Sequence, residues 1–255
     1  MSEYFEGKVA LITGAGGGGT GRNVSLAFAK RGVAVAAVGR TRENIEETVR
    51  LVREHGVKAE AYVCDVRDGA RITEVVDEVG KAFGRLDFLL NNAGTAPIGR
   101  LLDVSDAEIT GSYEDTGLAS FRFMKACYPL LKASGDAVIF NFTSSATLRW
   151  DMAGYGAYGA IKTMVRQLTR AAAAEWGEDG IRALTIAPHV LSPGLQSWID
   201  SRPNEAEQFF RTIPLRRVGD PALDIAEAIV GLCGPEFRYL TGATIPLDGG
   251  QANFD

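Results

Sequence analysis

Residues 9–32 run VALIT, GAGGGGTGR, NVSLAFAKRG: Val9 to Thr13 is a short apolar run, Gly14 to Arg22 is a turn holding six glycines in nine residues, and Asn23 onward carries helical patterning. A strand that enters a glycine turn and leaves as a helix opens a βαβ unit. Glycine permits the tight turn and lets the backbone approach a pyrophosphate. The N–H groups and partial positive charge of the helix N-terminus then stabilise the phosphate charge. The turn lacks a Gly-Lys-Ser/Thr sequence, so a P-loop ATPase is excluded. The stretch predicts a nucleotide site, with Gly14, Gly19 and Gly21 as its cradle.

The same rhythm continues outward. Short apolar runs at Val9–Thr13, Val33–Val38, Ala59–Val63, Leu86–Leu90, Ala137–Phe142, Ile181–Ile186 and Ala243–Pro246 read as strands, separated by helical patterns. Thr41 to His55 places Ile45, Val49 and Val52 on one face and ends at Gly56. Gly69 to Phe83 places Ile72, Val75, Val76 and Val79 inward and stops at Gly84. Alternating β and α segments predict an α/β chain with a doubly wound parallel sheet covered on both faces. No linker, charge block or fixed-period repeat interrupts them, so residues 1–255 are expected to form one domain. Only Ser192 to Arg217, with Pro193, Pro203 and Pro214, breaks the pattern. It reads as an irregular lid over about 190–217.

Composition narrows the partners. Thirty glycines in 255 residues are about 12%, against roughly 7% in ordinary proteins, and lack a collagen period. With 46% hydrophobic and 23% charged residues the chain is neither disordered nor a disulfide scaffold. A net charge of -5 argues against nucleic acid or an anionic membrane surface and for a small-molecule partner. His55 and His189 are the two histidines, and Cys64, Cys127 and Cys233 are far apart, so no metal site is expected; the cysteines read as small buried hydrophobes. Without a signal-peptide pattern or a run of 18 apolar residues, the expected location is the cytoplasm.

The second strand ends in AAVGRTRE. Gly39 stands where an acid would accept from the 2′-OH of NAD, and Arg40 follows it with Arg42 nearby. No carboxylate is present to repel a 2′-phosphate, and Arg40 can receive one, so NADP(H) is favoured over NAD(H). Tyr158 and Lys162, in YGAIK, lie four apart on a helical stretch and share a face. An ammonium about 4 Å from a phenol is worth up to ~3 pKa units before desolvation. Upstream, NFTSS brings Ser144 and Ser145 to the carboxyl end of a strand, where open α/β sheets bind ligands.

Taken with CDV (Cys64–Val66), NNAG (Asn91–Gly94) and the closing TGATIPLDGG, these motifs resemble the short-chain dehydrogenase/reductase family over essentially the whole chain. The resemblance implies a Rossmann-type domain with a seven-stranded parallel sheet, assembled as a homotetramer or homodimer, and NAD(P)-dependent oxidoreduction of a ketone or secondary alcohol. It implies that Tyr158 is the general acid/base, that Lys162 holds the nicotinamide ribose and lowers the tyrosine pKa, and that a serine positions the substrate oxygen. Counting forward from Asn141 points to Ser144, whereas counting back from Tyr158 points to Ser145. Asp65 and Val66 would flank the adenine; Asn91, Ala93 and Gly94 would line the cofactor and support the sheet; Pro188 and Leu191 would lie beside it.

Three departures stand out. The glycine turn carries one extra residue between Gly14 and the Gly19/Gly21 pair. Thr116 occupies the place of the asparagine that the family uses to hold a water linking the lysine to solvent. Pro188-His189 replaces the usual Pro-Gly, making His189 either a substrate contact or a tolerated loop residue. Trp150, Met152, Tyr155, Trp198, Phe209 and Phe210 can wall an apolar pocket, which favours a hydrophobic or cyclic ketone over a sugar. Two rival readings stay open: an NADP(H)-binding sensor or interaction protein without turnover, and a dehydratase or epimerase on the same scaffold.

Overall fold

The strands expected from sequence pair into one seven-stranded, wholly parallel sheet in the order β3-β2-β1-β4-β5-β6-β7. The computed structural model describes residues 2–149, 153–191 and 193–252. In chain order the elements are α1 (Ser2–Phe5), β1 (Val9–Thr13), α2 (Thr20–Ala29), β2 (Ala34–Gly39), α3 (Arg42–Arg53), β3 (Ala59–Val63), α4 (Gly69–Phe83) and β4 (Phe88–Asn91). They continue with α5 (Asp106–Ser112), α6 (Ala119–Ser134), β5 (Ala137–Phe142), α7 (Gly156–Trp176), β6 (Ile181–Pro188), α8 (Pro193–Ser201), α9 (Pro203–Thr212), α10 (Glu227–Leu232) and β7 (Thr244–Leu247).

Every residue of β1 and β5 is buried, which explains why these strands read as unbroken apolar runs. Side chains of β1 alternate between two cores: Ala10 and Ile12 face one, Val9 and Leu11 the other. In the first core Phe28 of α2 stacks on Phe88 of β4 at 5.1 Å. Each buried ring contributes about 2–3 kcal/mol. The second core sets Val75 and Val79 of α4 and Phe123 of α6 against the opposite face.

The boundaries follow local chemistry. α4 spans the expected residues because the Asp68 carboxylate accepts from the N–H groups of Ala70 and Arg71, and Gly84 closes the helix at φ 74°. β4 begins two residues later than the apolar run because Asp87, fully buried, uses its carboxylate to take the Val9 N–H, Arg85 and Ser134. β6 runs on to Pro188, which pairs with Leu247. The segment read as an irregular lid instead holds α8 and α9, the latter starting with Pro203 in its first turn, where a missing N–H costs nothing.

The chain builds β1 to β3 in one direction, then returns to place β4 on the other side of β1. That reversal opens a crevice at the carboxyl ends of β1 and β4, the position at which open α/β sheets bind ligands.

Candidate active site

Two loops meet at that crevice. The Thr13 hydroxyl accepts from the backbone N–H groups of Asn92 and Ala93, both at 3.0 Å, and Asn92 Nδ2 donates to the carbonyls of Thr13 and Gly14. The glycine turn is thereby stitched to the NNAG segment. A Cβ at Gly21 would lie 2.4 Å from the Gly14 carbonyl, and one at Gly14, where φ is 67°, would lie 2.8 Å from Asn92 Nδ2. These two glycines permit the close packing. Gly19 caps α2 and a Cβ there would meet nothing within 4 Å, so its face of the helix N-terminus is open to a ligand. Arg22 anchors the enlarged turn from behind, donating to the carbonyls of Gly16 and Asn44 and to Thr48. Thr13, Asn92 and Arg22 were not anticipated; the arginine directly after the last glycine was the available signal.

At the end of β2 a Cβ on Gly39 would sit 2.7 Å from Cγ2 of the fully buried Ile45. An acid cannot enter there without moving α3. Gly39→Asp is expected to cost about 1–3 kcal/mol, read as a lowered urea midpoint; an unchanged midpoint would show that α3 yields freely. Arg40 is exposed and makes no hydrogen bond or ion pair with other described residues, whereas Arg42 pairs with Glu46. Asp65 accepts from the Arg67 guanidinium, Nε reaching both carboxylate oxygens and Nη2 reaching Oδ2, and from the Arg67 backbone N–H; with the charge of Arg40 these hold its carboxyl down at about 2. Val66 is packed into the core.

Asn91 is buried and donates to Asn141 at 2.8 Å across β4 and β5, while its Oδ1 has no partner. Asn141 in turn donates to Thr169 of α7. This chain of amides fixes α7 against the sheet and sets the height of Tyr158 and Lys162 on its first turns. Lys162 is 7% exposed and donates from Nζ to the Phe142 carbonyl at 2.9 Å, with Nζ 5.7 Å from the Tyr158 ring centre. Burial pulls its pKa down to about 8, opposed by the charge of Asp115. The Ser144 hydroxyl lies close enough to the Tyr158 phenol to pull its pKa down. It also accepts from the Ala146 N–H, and Ser145 instead starts the 3-10 turn Ser145–Thr147.

The expected lowering of the Tyr158 pKa by Lys162 is not what the structure gives. Burial pushes the phenol above its ordinary value, Ser144 pulls it down, and Tyr155 adds to the rise. The ammonium is committed to the Phe142 carbonyl, and its own protonation is weakened by desolvation.

Thr116 is buried in a π-helical turn, Tyr113–Leu118, where its hydroxyl donates to Asp115 and accepts from the Thr95 N–H. Gly94 presses against it: a Cβ there would be 2.4 Å from Thr116 Oγ1. His189 and Trp198 both meet Phe209 edge-on, at 5.4 and 5.7 Å, so α8 and α9 are tied to the end of β6. His189 Nδ1 is buried without a partner, and burial lowers its pKa, keeping the imidazole neutral at pH 7. Pro188 ends β6, and Leu191 donates its N–H to Gly219. Tyr155 is 43% exposed one turn before Tyr158. Trp150 and Met152 lie outside the described residues. Among the described residues no cluster of His, Cys, Asp and Glu suits a metal ion, and no helix is long and apolar enough to cross a membrane. The three cysteines are free and buried.

Known proteins resemble this arrangement over its full length. A family model described as enoyl-(acyl carrier protein) reductase matches residues 14–252. A 12α-hydroxysteroid dehydrogenase of Clostridium sp. is 36% identical over 258 aligned positions, covering 97% of each chain. Among solved structures, a 7α-hydroxysteroid dehydrogenase complexed with NADH and 7-oxo glycochenodeoxycholic acid superposes with a TM-score of 0.89 at 30% identity, covering 97% of this chain and 95% of the other. An L-sorbose reductase of Gluconobacter frateurii, complexed with NADPH and L-sorbose, gives a TM-score of 0.90 at 26% identity and 98% coverage of both chains.

Proposed function

Because this chain belongs to the short-chain dehydrogenase/reductase family, we propose that it is an NADP(H)-dependent oxidoreductase acting between a hydrophobic or cyclic ketone and the corresponding secondary alcohol. The observation that carries this reading is the placing of Tyr158 and the buried Lys162 one turn apart on α7, with Lys162 Nζ 5.7 Å from the Tyr158 ring centre, beside Ser144 just beyond the end of β5.

The crevice suits a dinucleotide. Gly14, Gly19 and Gly21 leave a backbone cradle at the N-terminus of α2. Asp65, Ala93 and Gly94 would line the nucleotide, and Lys162 would hold its ribose. Bound nicotinamide supplies hydride chemistry at the carbonyl carbon. Ser144 orients the substrate oxygen toward the Tyr158 hydroxyl, which gives up its proton as charge develops on that oxygen. Burial keeps the phenol protonated at neutral pH, the form that donates in ketone reduction, while Ser144 offsets part of the rise that would make it a weaker acid. His189, Trp198 and Phe209 form a largely apolar wall, and the neutral imidazole adds one hydrogen-bonding group to it. That wall, together with the hydroxysteroid dehydrogenases among the relatives, supports an apolar ring system rather than a polyol. Turnover of polyols with no response to any apolar ketone would remove this substrate class.

For the nucleotide, the unengaged Arg40 and the acid-free Gly39 support NADP(H). Arg40→Asp is expected to weaken NADPH binding at least ~10-fold while changing NADH less than ~3-fold, by loss of a charge-assisted contact; equal effects in fluorescence titration would overturn the preference. Assembly into two or four copies is supported by exposed Ile109, Tyr113 and Phe121 around α5 and α6, and sedimentation velocity reads it directly.

A further inference from the structure

One face of β5 changes character along its length. Ala137 and Ile139 enter the second core together with Ala172 and Ala173 of α7, and by the two-residue period of a strand Asn141 and Thr143 follow them on that face. Both are buried, at 0% and 3% exposure, and the Thr143 N–H donates to the Ile186 carbonyl at 2.8 Å, so the pairing with β6 carries on through it. Three consecutive residues then bond to α7. Asn141 Nδ2 donates to Thr169 Oγ1 at 2.9 Å, the Phe142 carbonyl accepts from Lys162 Nζ at 2.9 Å, and the Thr143 hydroxyl donates to the Lys162 carbonyl at 3.1 Å. Much of the buried face of α7 is small, with Ala157, Gly159, Ala172 and Ala173 on it, and its N-cap Tyr155 makes no side-chain capping bond. Small side chains let a helix come close to a sheet but interlock weakly, whereas satisfied buried polar groups specify one arrangement.

We propose that Thr143 is a positioning residue whose hydroxyl sets the height of α7 against the end of β5, and with it the alignment of Tyr158 to Ser144. This rests on the reading of Ser144, Tyr158 and Lys162 as the reacting set. Thr143 directly precedes Ser144, and the carbonyl it holds belongs to Lys162, one helical turn after Tyr158. A single side-chain bond therefore joins the strand end that carries the serine to the helix that carries the tyrosine and the lysine. The other two bonds are less suited to that task. Asn141 reaches α7 at Thr169, two helical turns beyond Lys162. The Lys162 ammonium has the nicotinamide ribose as its other partner on the proposed reading, so its bond to the Phe142 carbonyl is shared. The Thr143 bond joins a backbone carbonyl to a hydroxyl that has no part in the chemistry. A buried hydroxyl costs free energy unless it is bonded, and valine would fill the same space without that cost. What the hydroxyl adds is direction.

Thr143→Val keeps the shape of the side chain and removes the donor. It is expected to lower kcat about 5–30-fold, because small misplacements of reacting groups are costly, with the ketone KM and the NADPH Kd within about threefold and Tm within about 4 °C of wild type. Thr143→Ser, which keeps the hydroxyl, should recover kcat to within about twofold. Thr163→Val, which removes an exposed hydroxyl bonded to the Gly159 carbonyl within α7, should leave kcat unchanged. Crystal structures should show the start of α7 displaced relative to β5 in Thr143→Val and in its wild-type place in Thr143→Ser. Wild-type kcat in Thr143→Val, a loss that serine does not restore, or an unmoved α7 overturns the proposal. Should wild-type protein reduce no ketone, the function proposed above fails, while the displacement of α7 still decides the role of Thr143. If Thr143→Val does not fold, Thr143→Cys, a weaker donor of similar size, carries the same comparison.

Discussion

Tyr158→Phe is expected to lower kcat for ketone reduction at least ~10²-fold while leaving NADPH affinity within about twofold. The substitution removes one oxygen from a ring that stays packed at the start of α7, and Ser144 keeps its own hydrogen bond with the Ala146 N–H. What disappears is the proton donor, so the loss belongs to the chemical step. The size of the effect follows from the position of the phenol beside Ser144: it is the proton donor of the proposed chemistry, and among the described residues no histidine or carboxylate hydrogen-bonds either group. Following NADPH absorbance against apolar cyclic ketones and polyols, for wild type and variant, separates the possibilities. Equal rates in the two proteins would take Tyr158 out of the mechanism. NADPH binding with no turnover in the wild type would instead favour a nucleotide sensor.

Lys162→Met is expected to do two opposite things, to abolish turnover and to stabilise the fold at pH 7. Lys162 titrates near 8 in the folded chain because burial disfavours its charge, against about 10.4 in an unfolded one. Below pH 8 it is protonated in both states and the folded state carries the full cost of a buried ammonium. Between about 8 and 10.4 the unfolded chain binds more protons, so stability rises with pH, and above that range the cost is gone. The gap corresponds to roughly 3 kcal/mol. Loss of the hydrogen bond to the Phe142 carbonyl offsets about 1 kcal/mol of it. A net gain of about 1–2 kcal/mol at pH 7 should raise Tm by about 2–8 °C, and by pH 10.5, where only the lost hydrogen bond remains, it should turn into a net loss of up to about 1 kcal/mol. A variant that melts below wild type at pH 7 would show that the ammonium is better compensated than its surroundings indicate.

β1 and β5 were legible because they are buried on both faces and so carry unbroken apolar runs with the bounds the fold gives them; β3, an edge strand with Glu60 inside it, has its expected bounds although only Ala59 and Tyr62 are buried. The helices α8 and α9 were less so, since three prolines read as a break although Pro203 is itself a helix-start residue. Within the site, Tyr158, Lys162 and Ser144 were legible from spacing along one helix and one strand end. The stitching of Thr13 to Asn92 and Ala93 spans about eighty residues and leaves no local trace in the sequence. The influence of Lys162 on Tyr158 was misjudged because a helical spacing of four gives proximity but not desolvation.

The contact between Gly39 and Ile45 bears on how this chain could evolve. An acidic residue at Gly39 is the obvious single step toward reading a free ribose, yet alone it collides with a buried methyl group on α3. Trimming Ile45 alone to Val or Ala opens a cavity at a cost of about 0.5–5 kcal/mol and gains nothing in recognition. Each change is disfavoured without the other. On the proposed NADP(H) reading, a lineage carrying this sequence would therefore cross a stability valley to take up NAD(H) instead, and the shortest route begins on the helix rather than at the residue that does the reading.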